Sequence, residues 1–224
     1  MTSMHLPFRR MAPAIVLLIA ALAAPGCERF YYSTMKKFGQ EKRDILVNRV
    51  KDARKTQEEA KEEFKSALAR FKDVIEVEGG KLEEKYERLN KELGRSEDRA
   101  KQVRERIDSV RNVSEDLFKE WGKELRQYSD KTLRAESERE LRETRRRCEQ
   151  LVDAMDRAQK KIEPVLVPLR DRVLFLKHNL NAQAIGAIDA ELTKVRGNVD
   201  ALVTDLEAAI AEAEAFIKTM NVES

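Results

Sequence analysis

Apolar residues recur along most of this chain at alternating steps of four and three, the spacing typical of a helix face that packs against other helices. Four of these seams follow one another and predict four long helices. The first seam runs through Leu46, Val50, Ala53, Gln57, Ala60, Phe64, Ala67, Phe71 and Val74. The second runs through Leu82, Tyr86, Leu89, Leu93, Ser96, Ala100, Val103, Ile107, Val110, Ser114, Leu117 and Trp121. The third runs through Leu141, Thr144, Cys148, Leu151, Met155, Ala158, Ile162, Val165, Leu169, Val173, Leu176 and Leu180. The fourth runs through Ile185, Ile188, Leu192, Val195, Val199, Leu202, Leu206, Ala209, Ala213, Phe216 and Met220.

Breaks in the spacing predict the connections between these helices. Gly79 and Gly80 separate the first two seams, and glycine has the backbone freedom that a turn needs, so we expect the first helix to end near residue 78. Ser129 and Asp130 precede the third helix, and Asn181 precedes the fourth. Their side-chain oxygens can accept hydrogen bonds from the free amides of a first helical turn.

The breaks give helices of roughly 45, 48, 48 and 38 residues, each about 55 to 75 Å long. Similar lengths and short connections favour one all-α domain, an elongated antiparallel helical bundle or coiled coil of about four long helices. Pro164 and Pro168 predict a kink in the third helix, or a helix end near Ile162 followed by a shorter helix to Leu176. A long hairpin that buries its seams by dimerising fits the same pattern.

The first 26 residues read as a targeting segment rather than as part of the bundle. Arg9 and Arg10 precede an apolar run over residues 11–24, interrupted only by Pro13. That run is shorter than the roughly 20 residues needed to span a bilayer. The segment ends at Gly26 and Cys27, and residues 22–27 resemble the lipobox of bacterial lipoproteins, although Ala24 and Pro25 depart from its usual residues. An ordinary secretory signal and an uncleaved anchor are the alternatives.

We therefore expect residues 1–26 to be a lipoprotein-type signal peptide and residues 27–224 to form a single helical domain, with Cys27 as the lipidation site. Acyl chains such as palmitate would hold the protein in a membrane, because each buried CH₂ contributes about 0.8 kcal/mol. Glu28 follows the cysteine where lipoproteins kept at the inner membrane usually carry Asp. This resemblance favours the periplasmic face of the outer membrane.

The charge of the chain gives no indication of a polyanionic partner. Without its leader the chain has 42 basic and 41 acidic residues, so its net charge is close to zero. A basic cluster in the third helix is interleaved with glutamates, which cancel most of its field; the cluster consists of Arg139, Arg142, Arg145, Arg146 and Arg147. We expect no nucleic-acid partner.

The sequence contains no arrangement of residues that predicts catalysis. His178 is the one histidine after the leader, so a histidine-based metal centre cannot be assembled within one chain. The carboxylates lie three or four residues from Lys or Arg, as expected on a solvated helix face. No phosphate-binding glycine loop, nucleophile elbow or Cys-x-x-Cys pair is present. We expect no enzyme activity, no catalytic residue, no metal and no cofactor.

Cys148 lies in the third seam between Thr144 and Leu151. This position favours a small buried side chain, and an intermolecular disulfide is the alternative.

Three kinds of position are candidates for interaction. Trp121 and Phe118 form an aromatic pair on one helix face, which packs across the bundle end or is exposed to a partner. Aromatic and cationic residues directly after a lipid anchor suit the membrane headgroup zone, or they pack on the bundle as its first helical turns. Polar residues after the apolar residues 174–176 cap a helix junction or bind a partner. The candidates are Tyr31, Tyr32, Trp121, Lys177, His178, Asn179 and Asn181.

The chain resembles a bacterial family catalogued as domain of unknown function 2959. The resemblance rests on the matching motifs Tyr31-Tyr32, Gly39, residues 42–47, Gly79-Gly80, Leu117-Phe118, Glu120-Trp121 and residues 176–181. It implies a helical, coiled-coil lipoprotein and brings no activity or cofactor with it.

Two functions follow as expectations. In the first, a membrane-anchored bundle has a structural or adaptor role in the cell envelope and contacts a protein partner, or a second copy, through its helices. In the second, a periplasmic binding module holds a small hydrophobic or lipidic ligand between the helices. Alanines at Ala53, Ala60, Ala67, Ala209 and Ala213 favour close packing over a cavity.

Overall fold

A computed structural model describes residues 42–76 and 81–222, and all its long elements are helices. They are α1 (Lys42–Glu76), α2 (Leu82–Glu124), α3 (Lys131–Lys160), α4 (Ile162–His178) and α5 (Ala182–Val222), with one 3₁₀ turn at Leu125–Gln127. The all-α prediction is confirmed. The segment before residue 42, where the sequence predicts the signal peptide and the start of the first helix, lies outside the described residues.

The helices form an antiparallel ring. Helix α1 packs against α2 and α5, and both of these pack against α3 and α4, which together take the place of one long helix. Cross-helix ion pairs show the opposite chain directions: Arg70 near the end of α1 binds Glu92 near the start of α2 at 2.6 Å. Arg54 near the start of α1 binds Glu214 near the end of α5 at 2.9 Å. The four seams thus close within one chain, and the dimerising hairpin is not the arrangement observed.

The predicted seams form the core. Every residue of the first seam is buried, and the second seam is buried from Leu89 to Ser114. The third seam is buried from Leu141 to Leu176. The fourth is buried from Ile188 to Met220. The predicted positions that are wrong lie near helix ends, where fewer neighbours cover a side chain: Leu82, Tyr86, Leu117, Trp121 and Ile185 are half-buried and Leu180 is exposed.

The predicted interruption of the third helix is confirmed at Lys161. Helix α3 ends at Lys160 and α4 begins at Ile162, so Pro164 stands in the first turn of α4. An amide in that turn has no helical acceptor, so proline is tolerated there. Pro168 lies inside α4, where it supplies no N–H to the carbonyl of Pro164.

Both predicted caps are also confirmed. The Asp130 carboxylate accepts hydrogen bonds from the amides of Thr132 at 2.7 Å and Leu133 at 3.2 Å. The Asn181 side-chain oxygen accepts one from the amide of Ala184 at 2.9 Å. These bonds satisfy donors that an α-helix leaves free in its first turn.

The bundle has two ends that carry different residues. We call the first end the one where α1 begins, α2 ends, α3 begins and α5 ends. The second end is where α1 ends, α2 begins and α4 connects to α5. Since α2 has 43 residues, the ends are about 65 Å apart.

Candidate interaction surfaces

Trp121 lies at the first end and connects two helices. Its indole Nε1 donates a hydrogen bond of 2.8 Å to the Ser137 hydroxyl oxygen, which joins α2 to the start of α3. The side chain is half-buried, so one part of the ring packs while another part is accessible. The hydrogen bond to Ser137 gives Trp121 a structural role. Its role as an interaction residue stays a prediction.

Phe118, rather than Leu117, is the buried residue of this stretch of α2. The guanidinium of Arg145 lies over its ring, 5.2 Å from the ring centre, in a cation–π contact between α2 and α3. The sequence pattern counted Leu117 because it continued the steps of four and three. At this end of the bundle, position 118 of α2 faces the core instead of position 117.

Asn179 and Asn181 serve the junction between α4 and α5. The side-chain amide of Asn179 donates to the carbonyl oxygen of Phe175 at 3.0 Å, and Asn181 caps α5. Both side chains thus form hydrogen bonds with backbone groups. This agrees with the sequence interpretation in which they cap the helix junction. Lys177 and His178 are exposed and precede this junction at the second end.

The candidate residues do not converge on one site. Trp121 is at the first end and the group containing Lys177 and His178 is at the second, separated by most of the ~65 Å length of a 43-residue helix. Tyr31, Tyr32 and Cys27 lie outside the described residues.

A set of exposed apolar residues on α4 and just after it was missed by the sequence interpretation. Leu174 is 54% exposed and Phe175 is 48% exposed, and Val167 and Leu180 are also largely exposed. Residues 164, 167, 171, 174 and 178 repeat at steps of three and four on the outer face of α4, opposite its buried seam. Asp171 and His178 interrupt this repeat, so it is not a second apolar seam. We call the exposed apolar residues the outer stripe, formed by Pro164, Val167, Leu174, Phe175 and Leu180.

Cys148 is buried, as the first of its two interpretations predicts, with 1% of its surface exposed. Burial raises the pKa of its thiol to about 11, partly opposed by a hydrogen bond with Ser114. A groove of about 430 Å³ lies over this thiol between α2 and α3, and Phe118 and Val152 contribute apolar lining. Three cationic and three acidic side chains also line the groove: Arg111, Lys119, Arg145, Glu115, Glu149 and Asp153. Because positive and negative side chains balance, the lining of this groove favours neither an anionic nor a cationic ligand.

A second groove, of about 580 Å³, runs between α1 and α5. Leu68, Leu192 and Val199 contribute its apolar lining, and its charged residues are also of both signs. As in the first groove, the charges do not indicate a particular ligand.

Three arginines of the basic cluster on α3, Arg142, Arg146 and Arg147, pair with glutamates of the same helix, as the interleaved sequence predicts. Arg147 binds Glu143 at 2.5 Å, and Arg146 lies 3.9 Å from the same carboxylate. The hydrogen bond from Arg147, followed by its charge and that of Arg146, lowers the pKa of the Glu143 carboxyl. The local field of this cluster is therefore largely neutralised.

Within residues 42–76 and 81–222, no three His, Cys, Asp or Glu side chains are grouped in a way that could hold a metal ion. Over the same ranges, none of the helices combines the length and the apolar character needed to cross a bilayer.

The fold is an antiparallel helical bundle in which α3 and α4 together take the place of one long helix. The model of one family, described as protein of unknown function (DUF2959), matches residues 31–220. Because this match spans most of the 224 residues, the chain belongs to that family. A comparison with curated proteins gave no match.

Proposed function

We propose that this protein is a lipid-anchored helical bundle with a structural or adaptor role in the cell envelope, on the periplasmic face of the outer membrane, and that it catalyses no reaction. The observation that carries the proposal is the combination of a lipobox-like segment ending at Cys27 with a bundle that exposes apolar side chains near its second end. The lipid anchor would hold the protein at the membrane, and the exposed apolar surface would contact a protein partner.

Chain connectivity supports attachment through the N-terminal segment. Fourteen residues lie between Cys27 and Lys42, where α1 begins at the first end. An anchored Cys27 would attach the bundle to the membrane through this segment. The exposed apolar residues near the second end are then available to a protein partner.

The exposed residues near the second end support a protein contact. Leu174 and Phe175 would leave water on binding, and removing apolar surface from water favours association. Lys177 and His178 lie beside them and can supply the polar rim found around many protein interfaces. A contact of this kind requires no catalytic group.

Metabolic labelling with palmitate tests the anchor. We expect label on the full chain, loss of label with Cys27→Ala, and accumulation of an unprocessed form when globomycin blocks the lipoprotein signal peptidase. Cys148→Ala is the matched control, because it removes the other cysteine and should leave labelling and membrane fractionation unchanged. Absence of label on the unaltered chain would disprove the anchor.

Proximity labelling in intact cells tests the adaptor role. A labelling enzyme fused after Ser224 should mark envelope proteins, and Cys27→Ala should change this set because the tether is lost. An unaltered chain that marks no envelope protein above the level of a secreted, unanchored control would argue against the role.

The groove between α2 and α3 supports one alternative, a binding module for a small hydrophobic or lipidic ligand. Its volume of about 430 Å³ and its apolar residues Phe118 and Val152 suit part of such a molecule. Against it, six charged side chains line the same groove, and burying them under an apolar molecule would cost free energy. Native mass spectrometry that retains a lipid, and loses it with Val152→Glu, would favour this alternative.

A further inference from the structure

The connection between α2 and α3 is the outermost described part of the first end. It consists of residues 125–130, which we call the α2–α3 turn. The ammonium of Lys42, the first residue of α1, binds the Glu120 carboxylate at 2.8 Å, so α1 begins level with Glu120. The turn follows Glu120 along the chain and lies about 10 Å beyond this level, at about 1.5 Å per helical residue. Helix α5 reaches no farther than α1, because the Met220 carbonyl oxygen accepts a 3.5 Å hydrogen bond from Arg43.

Two large apolar side chains are exposed at this turn. Tyr128 within it is 43% exposed, and Leu133 in the first turn of α3 is 52% exposed. Among the described residues, the other exposed large apolar side chains belong to the outer stripe. The half-buried Trp121 lies one helical turn before the α2–α3 turn. Tyrosine and tryptophan are enriched where a protein meets the headgroup region of a membrane, because each has an apolar ring and a polar atom.

Cationic side chains accompany the exposed apolar pair. Three of them are exposed and form no ion pair with another described residue: Lys123, Arg126 and Lys131. Of the acidic residues nearby, Asp130 uses its carboxylate to cap α3, and Glu124 and Glu136 stand inside the flanking helices on shorter side chains. Lysine and arginine can lay their stems along apolar groups and extend their charges to lipid phosphates.

We propose that the α2–α3 turn contacts the surface of a phospholipid membrane, with Tyr128 and Leu133 among the headgroups and the three cations beside lipid phosphates. The proposal rests on the proposed function, because it takes the membrane that holds Cys27 as the partner. It adds the part of the bundle that touches this membrane. The outer stripe near the second end remains available to a protein.

The length of the connecting segment allows this contact. Fourteen residues lie between Cys27 and Lys42, and a fully extended chain of this length spans about 50 Å. The turn extends about 10 Å beyond Lys42, so the anchor and the turn can meet the same bilayer. The outer stripe suits a membrane less well, because Asp171 lies in the middle of its face and a carboxylate is costly to bring into lipid.

The small size of the surface sets its expected strength. Two apolar side chains and three cations give a weak contact by themselves. A lipid on Cys27 would raise the local concentration of the turn at the membrane and so favour the contact. The test therefore uses the lipidated full chain, purified from membranes.

Fluorescence quenching by brominated lipid tests the contact. Trp121 is the only tryptophan, so Trp121→Phe gives a background in which Leu133→Trp or Leu174→Trp introduces a single fluorophore. Both leucines are more than half exposed, one at the turn and one on the outer stripe. In vesicles of phosphatidylethanolamine and phosphatidylglycerol that contain brominated lipid, we expect at least twofold stronger quenching for Leu133→Trp.

Folding of each variant is checked by circular dichroism and the melting temperature. Trp121→Phe removes the hydrogen bond to Ser137 and can weaken the first end. If that background does not fold, a solvent-sensitive fluorophore attached at Leu133→Cys or Leu174→Cys, with Trp121 unchanged, gives the same comparison. Cys148 is buried and is not expected to react.

Replacement of the cations tests their part in the contact. In the Leu133→Trp chain, Arg126→Gln together with Lys131→Gln should reduce quenching by at least half. Arg88→Gln together with Lys91→Gln is the matched control, at two exposed cations of α2 near the second end, and should leave quenching unchanged. Equal effects of the two pairs would show that the turn has no special contact with phosphate.

The contact and the anchor can fail separately. Equal quenching of Leu133→Trp and Leu174→Trp, or none at Leu133→Trp, would overturn the contact whether or not Cys27 carries palmitate. Palmitate label without a difference in quenching would leave an anchored protein whose turn does not touch the membrane. Stronger quenching at Leu133→Trp without label would support the contact and remove the anchor.

Discussion

The side-chain amide of Asn198 donates a hydrogen bond of 2.9 Å to the main-chain carbonyl oxygen of Pro164, from α5 to α4. In a regular helix this carbonyl would accept from the amide four residues later, but that residue is Pro168, which has no N–H. Asn198 thus supplies from a neighbouring helix the donor that the proline lacks. The contact ties α4 to α5 close to the break at Lys161.

Asn198→Ala should destabilise the bundle by about 1 kcal/mol, because it removes this hydrogen bond at a partly accessible site. The change should be smaller in a Pro168→Ala background, where residue 168 can donate to the Pro164 carbonyl. Urea unfolding of the four chains of this double-mutant cycle measures the difference. Equal effects of Asn198→Ala in the two backgrounds would show that the two residues act independently.

Gln57 stands in the first seam with 1% of its surface exposed, and within the described residues neither its amide nitrogen nor its oxygen has a hydrogen-bond partner. Leaving a buried polar group unsatisfied costs about 1 to 3 kcal/mol. Gln57→Leu should therefore raise the free energy of unfolding by about 1 kcal/mol or more, as measured by urea denaturation.

Ser96 is the matched control for Gln57. It is a buried polar residue of the second seam, but its hydroxyl has a contact with the carbonyl oxygen of Glu92 at 3.4 Å. Ser96→Ala should change stability less than Gln57→Leu does. A destabilised Gln57→Leu chain, or one that forms new oligomers, would indicate instead that the glutamine selects the register of the bundle.

The buried thiol of Cys148 predicts a loss of stability in alkaline solution. Its pKa rises from 9.0 to about 11 on folding, so between these values the unfolded chain has released a proton that the folded chain still holds. Stability then falls as pH rises from about 9 to 11, by about 1.4 kcal/mol for each unit of pKa difference. Below pH 8 this thiol should have no effect on the pH dependence.

Comparison with Cys148→Ala isolates this contribution, because lysines and tyrosines titrate in the same range. The free energy of unfolding of the unaltered chain should fall more steeply between pH 9 and 11 than that of the variant. Parallel curves would show that the thiol is accessible or already ionised in the folded state.

Asn181→Ala should destabilise the bundle by about 1 kcal/mol, because the first turn of α5 loses its cap. Asn181→Asp should retain most of the stability, since a carboxylate accepts the same hydrogen bond from the amide of Ala184. Thermal unfolding followed by circular dichroism measures both. Lys177→Ala and His178→Ala, at exposed neighbours, should leave the melting temperature unchanged and serve as controls for any later binding assay.

The burial of most core residues was predictable because seam spacing fixes which face of a helix is apolar. Gln57 and Cys148 are buried as their seam positions require. Phe118 is buried in place of the seam position Leu117, because at a helix end the covered face depends on the neighbour that lies there. The interaction residues were less predictable: Asn181 could be recognised as a cap from its place before α5, but the exposure of Leu174 and Phe175 could not.

The sequence by itself determined the helices, their inward faces, the break near Ile162 and the caps at Asp130 and Asn181, because spacing, proline and side-chain oxygens act over a few residues. Only the tertiary structure decided that the seams close within one chain, that Asn198 reaches Pro164, and which apolar residues of α4 are covered. These outcomes depend on residues far apart in the chain. Local spacing is the same whichever helix becomes the neighbour.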